Sequence, residues 1–209
     1  MMKKTTWIIL FVCLSFLFAG AVAAEMYVGG KLGYVMTSDS DLSDGVDEIS
    51  IEFDGGLGLG LALGTTMDAF RIEGELEYRG ADMDKAKAYG VSVPVDGDIK
   101  TWSLMANGYY DFETGSSLKP YAGVGIGFAK HSVEINSIAG DAGSGGEDDD
   151  TVFAYQGTLG VAWAVSDTMD LDFAYRYFAT ADAEFEDGAG TTEAEYGSHN
   201  LSAGLRIKF

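Results

Sequence analysis

The sequence predicts an all-β protein: an eight-stranded antiparallel up-and-down transmembrane β-barrel behind an N-terminal signal peptide. Three observations lead there. An exported N-terminus is followed by eight segments of alternating polarity. The connections between those segments alternate between long and short. The charges on the polar faces nearly balance, although the chain carries a formal net charge of −20.

The export signal comes first. Lys3 and Lys4 precede an apolar run from Trp7 to Phe18, and Ala21-Val22-Ala23-Ala24 supplies small residues for a peptidase. This pattern reads as a secretory signal peptide over residues 1–24, cleaved after Ala23 or Ala24, with a barrel domain over 25–209. An uncleaved anchor is the alternative, which the small-residue site disfavours. Cys13, the only cysteine, lies in the apolar run, so the mature chain is expected to form no disulfide. Beyond Ala24 no apolar stretch has the length of a transmembrane helix.

Strand side chains alternate faces, so each segment is read in steps of two. The first is Met26–Met36, with Val28, Leu32 and Tyr34 apolar. The second, Ile49–Gly64, sets Ile49, Ile51, Phe53, Leu57, Leu59, Leu61 and Leu63 against Ser50, Glu52, Asp54 and a run of glycines. The third, Ala69–Gly80, sets Phe70, Ile72, Leu76 and Tyr78 against Arg71, Glu73, Glu75, Glu77 and Arg79. The fourth is Ile99–Phe112, the fifth Lys119–Lys130, the sixth Val152–Val165, the seventh Asp170–Phe178 and the eighth Gly197–Phe209. Segments of about ten alternating residues match a tilted strand crossing a bilayer. No helical period accommodates the pattern.

The connections 37–48, 81–98, 131–151 and 179–196 are long, whereas 65–68, 113–118 and 166–169 are short. In outer-membrane barrels short turns face the periplasm and long loops face outward. The four long loops hold 21 acids against two bases, Lys85 and Lys87. Such a surface excludes nucleic-acid binding, which needs clustered bases. It favours divalent cations or basic partners.

On the polar faces the acids are Glu52, Asp54, Glu73, Glu75, Glu77, Asp111, Asp170 and Asp172. The bases are Lys31, Arg71, Arg79, Lys119, Arg176, Arg206 and Lys208. Near-equality suits a closed interior, where an unpaired charge costs several kcal/mol. These fifteen side chains are expected to form an interior ion-pair network without a wide pore. Gly56, Gly58, Gly60, Gly123, Gly125 and Gly127 share the inward phase and would leave room for it. Outward aromatics gather near both strand ends, as membrane-interface girdles do.

The chain resembles the small outer-membrane β-barrel family that includes the opacity-type proteins and the OmpA-like transmembrane barrel. The residues that carry the resemblance are Ala106–Phe112, Pro120–Gly127, Tyr175-Arg176-Tyr177 and the ending Gly204–Phe209. It implies assembly by the barrel-assembly machinery, with Phe209 as the C-terminal signal. It also implies residence in the outer membrane among lipid and lipopolysaccharide. It does not single out one function.

Other chemistry is weaker. His131-Ser132-Val133-Glu134 groups a base, a hydroxyl and a carboxylate, and some small barrels are lipid A esterases. Adjacent strand residues diverge, however, so no catalytic residue is assigned. His199 is the other histidine. Glu147 with Asp148-Asp149-Asp150 lacks the spacing of a calcium loop and reads as a solvated acidic tip. No cofactor is expected. Lys100 and Lys130 fall in the outward phase at the loop ends of their strands, within reach of lipopolysaccharide phosphates or simply snorkelling into water. The leading expectation is a non-enzymatic structural or surface-interaction protein. A narrow porin-like channel is the alternative, and a lipid A-modifying enzyme a more distant one.

Overall fold

The computed structural model describes residues 25–37, 40–43, 48–53, 55–88, 91–138, 146–181, 183–187, 190–194 and 196–209. The signal-peptide segment and Asp54 lie outside them. Among the described residues there are twelve strands: β1 (Glu25–Thr37), β2 (Ser40–Ser43), β3 (Glu48–Phe53), β4 (Gly56–Met67), β5 (Phe70–Ala88), β6 (Val91–Asp111), β7 (Leu118–Ile138), β8 (Gly146–Ala164), β9 (Met169–Thr180), β10 (Ala183–Asp187), β11 (Gly190–Ala194) and β12 (Gly197–Lys208).

Eight of these close a barrel. The ring runs β1-β4-β5-β6-β7-β8-β9-β12, every pairing antiparallel. It closes where β1 meets β12, from Tyr27 opposite Lys208 to Thr37 opposite Ser198. Closure leaves no bare edge in the ring, a condition for strands surrounded by lipid.

The segment 49–64, expected as one strand, is two. β4 belongs to the wall, and β3 pairs with β5 beyond it, Glu52 lying opposite Lys85. The connections 81–98 and 131–151 also differ from expectation. β5 and β6 continue to pair as far as Ala88–Val91, with a shift of register between Met83 and Lys85, and β7 and β8 continue in register to Ile135–Gly146. An alternating pattern stops being apolar once a strand leaves the hydrocarbon, but backbone pairing has no such limit. β2 and β3 extend the sheet beside β5, and β11 joins β2.

The short connections are tight. Asp68 takes φ 54° in the turn joining β4 to β5, a left-handed conformation that Asp tolerates better than most residues. Thr114 and Ser116 both donate side-chain hydrogen bonds to the Leu118 carbonyl, at 2.6 and 3.1 Å, pinning the turn before β7.

The two faces of the wall differ sharply. Outward, Leu32, Leu59, Leu61, Ile72, Val124, Ile126, Leu159, Phe173 and Leu201 are all exposed. A continuous apolar belt around a whole molecule has no counterpart among water-soluble monomers and is what lipid solvates. Inward, the buried residues are mainly Arg, Glu, Asp, Asn, Thr and Tyr.

Candidate functional site

The lumen is filled by side chains rather than left open. Its filling depends on glycines placed opposite large residues. Tyr27 pairs across the ladder with Gly64, Lys31 with Gly60, Tyr109 with Gly123, and Tyr121 with Gly160. A Cβ at any of these four glycines would collide with the facing side chain. The absent side chain lets its neighbour lie flat across the strand into the barrel.

Nearest the short turns, Arg71 Nε donates to both Asp111 oxygens, at 3.0 and 2.8 Å. Its guanidinium lies 4.5 Å from the Tyr109 ring centre and 4.7 Å from that of Tyr121. Arg206 pairs with Asp172 at 3.0 Å and Lys208 with Asp170 at 3.0 Å. Tyr121 donates to Asp172 at 2.6 Å.

At mid-height, β5 presents Glu73, Glu75 and Glu77 in succession. Lys31 pairs with Glu75 and with Glu77. Arg176 crosses the lumen from β9 to Glu75 and Glu77. Glu73 accepts instead from neutral donors: Tyr27 at 2.8 Å, Tyr109 at 3.4 Å and Asn107 at 3.5 Å. Gln156 donates to Asn107 at 2.7 Å and ties β8 into the same layer.

Toward the loops the filling changes character. Arg79 pairs with Glu77 at 3.1 Å, donates to Ser103 at 2.9 Å, and lies 3.9 Å over the Phe178 ring. Around and beyond it Phe178, Tyr196, Met105, Ile99, Ala129, Val152 and Ala154 form an apolar stopper. His131, only 2% exposed, packs its ring on Tyr196 and shares a 2.8 Å hydrogen bond with Thr101 through Nδ1. Ser132, next to it, lies in the opposite phase, and no hydrogen bond joins the two among the described residues.

Twelve of the fifteen expected interior charges therefore converge: Lys31, Arg71, Glu73, Glu75, Glu77, Arg79, Asp111, Asp170, Asp172, Arg176, Arg206 and Lys208. Six are acids and six are bases. The other three stand apart. Lys119 is exposed at the short-turn rim and makes no ion pair among the described residues; the chain turns there, so the inward phase opens onto solvent. Glu52 belongs to β3, outside the ring, and Asp54 lies beyond the described residues. Alternation alone does not reveal the participating Tyr27, Tyr109, Tyr121, Asn107, Gln156 and Phe178. For all but Phe178, which faces Gln156 and Ser198, the signal is a large inward-phase residue whose ladder partner is glycine, and the register needed to see it comes only from the fold.

Lumen cavities among the described residues include one of about 40 Å³ beside Lys31, Glu73 and Arg176 and one of about 70 Å³ beside Arg71, Asp111 and Asp170. Each has room for water but not for a continuous solute path. On the outside, Lys100 pairs with Asp98 at 2.7 Å and Glu134 at 3.6 Å, and Lys130 with Asp149 at 2.6 Å. Among the described residues no group of His, Cys, Asp and Glu is arranged to hold a metal.

A closed ring with an apolar exterior and a paired-charge interior defines a membrane-spanning β-barrel. The chain belongs to the outer membrane protein beta-barrel domain family, whose model matches residues 9–209, and it is an outer-membrane protein. It is 28% identical over 185 residues to the outer membrane protein PagN of Salmonella typhimurium, covering 76% of each chain. It is 31% identical over 141 residues to a Rickettsia conorii protein called "Putative adhesin RC1281", covering 60% of this chain and 55% of that one. This chain therefore spans little more than half of that relative. Among solved structures it is similar to OprG from Pseudomonas aeruginosa (TM-score 0.67, 18% identity, 90% of this chain and 96% of that one). It is also similar to Neisserial surface protein A (TM-score 0.58, 24% identity, 90% and 99%). At these identities the structural likeness is one of fold.

Proposed function

We propose that this chain is a non-enzymatic outer-membrane barrel that acts by surface interaction, presenting its acidic loops to the exterior while its lumen stays closed. The carrying observation is the filling of the lumen: among the described residues, tiers of paired charge and an apolar cluster around Phe178 occupy the interior, which supports a closed barrel. The working parts are then the outer rim and the loops. The name carried by the Rickettsia relative supports the same direction. The loops' negative charge would repel soluble polyanions that approach from outside and draw divalent cations or basic partners. Lipopolysaccharide and the barrel-assembly machinery are the partners its location calls for.

Two measurements test this. Purified protein in a planar bilayer should give no stable conductance steps, whereas ion-selective steps would favour the narrow-channel reading. Cells displaying the chain should adhere to a surface coated with a basic protein better than cells lacking it. That difference should disappear when Asp148, Asp149 and Asp150 are changed to Asn. Equal adhesion by all three strains would sink the interaction role.

A further inference from the structure

Lys100 and Lys130 face outward from the barrel ring; Lys31, Arg71, Arg79, Arg176, Arg206 and Lys208 point inward, and Lys119 sits on the short-turn rim. The two are not scattered. Lys130 lies directly opposite Trp102 in the β6–β7 ladder, and Lys100 lies opposite Ser132, two residues along the same face. Diagonal neighbours of this kind stand about 7 Å apart. Both are about half exposed. Trp102 stands level with Lys130, and one step toward the bilayer centre lie Phe128 and Phe153; the three belong to the aromatic girdle at the loop side. That girdle marks the outer-leaflet interface.

From this we infer that Lys100 and Lys130 together bind a phosphate of the lipopolysaccharide head group, with its acyl chains lying down the wall below Trp102 and Phe128. The inference rests on the outer-membrane location. Asp98, Glu134 and Asp149 do not oppose it: exposed carboxylate pairs contribute little energy and are exchanged readily. They hold the ammonium groups at one height, and each ammonium has three donors to share. A phosphomonoester carries more charge than a carboxylate and offers three strong acceptors.

The test uses full-length protein extracted from outer membranes in mild detergent, with lipopolysaccharide and glycerophospholipid measured separately per barrel. Lys100→Ala with Lys130→Ala should lower retained lipopolysaccharide about tenfold, the effect of losing two charge-assisted contacts. Glycerophospholipid should be unchanged. Lys100→Arg with Lys130→Arg should retain it. Asp98→Asn with Glu134→Gln should retain as much or more. Folding is checked by the mobility of unboiled protein on a gel. If the double alanine variant does not fold, the single variants carry the test, each with a smaller loss. Unchanged lipopolysaccharide overturns the site, and so does an equal fall in both lipids, which would mark generic phosphate or lipid binding. Adhesion to the basic surface should persist in these variants, so the two proposals fail separately.

Discussion

Arg176 on β9 meets Glu75 on β5 across the full width of the barrel, Nη1 to Oε1 at 2.7 Å and Nη2 to Oε2 at 3.0 Å. In either direction around the ring three strands separate β9 from β5. The pair is therefore a strut between opposite walls, and its two-pronged geometry fixes the guanidinium in plane.

Removing one end of that strut strands a buried charge. Arg176→Met is expected to lower unfolding free energy by about 3 to 5 kcal/mol. Arg176→Met combined with Glu75→Leu should cost less than the sum of the single changes. Urea titrations in detergent followed by gel mobility measure both, and strict additivity would mean that the strut carries no coupling.

The glycine partners give a second prediction. Gly160→Leu should block folding or cost about 3 kcal/mol, because the new side chain meets the Tyr121 ring. Adding Tyr121→Ala should recover part of that loss. Gly108→Leu and Gly157→Leu, where a Cβ meets nothing within 4 Å on the outer face, should be nearly neutral in the same assay.

Lipid contact makes position more important than residue type. Leu61, 66% exposed at the middle of β4, faces hydrocarbon. Leu61→Arg is expected to cost about 2 to 4 kcal/mol in bilayer-based unfolding. Ser132→Arg, level with Lys100 at the rim, should change stability by less than about 1 kcal/mol. Equal costs at the two sites would contradict the assigned orientation.

The stopper and the ion pairs block the lumen independently. Phe178→Ala should leave planar bilayers silent, because the tiers below it persist. Phe178→Ala with Arg176→Ala should give flickering conductance. Steps from the single variant would place the only barrier at Phe178.

Phe209 separates assembly from stability. It is 70% exposed, and its backbone N–H donates to the Met26 carbonyl at 2.9 Å. Phe209→Ala preserves that backbone bond, so refolding in detergent should be nearly unchanged. The amount reaching the outer membrane in cells should fall if the ring is what the assembly machinery reads, and quantitative blotting of membrane fractions decides it.

The alternation that predicts the fold was legible because lipid imposes a strict period of two on every wall strand. Leu57 to Leu63 in β4 and Arg71 to Arg79 in β5 read directly as two faces. The charged partners were also readable as a set, since inward charges must pair. Which partner meets which was not, because Arg176 and Glu75 lie on opposite walls and only ring closure joins them. Alternation puts Tyr109 and Tyr121 on the inner face, behind Tyr110 and Ala122, but it does not say that they meet Glu73 and Asp172. The extensions of β5 to β8 past the girdle look like loops in the sequence, since around Lys85, Asp96 and Asp148 the apolar half of the alternation is lost while the backbone goes on pairing.

Ring closure through Tyr27 and Lys208 has a kinetic consequence. The earliest and latest stretches of the domain must find each other before the cylinder exists, so sequence-distant contacts dominate and formation is slow. Until residues 197–208 arrive, β1 and β9 each offer a row of unanswered amides and carbonyls to surroundings that cannot solvate them. Translation halted before Gly197 would leave no smaller version of this molecule, only an insertion-incompetent chain.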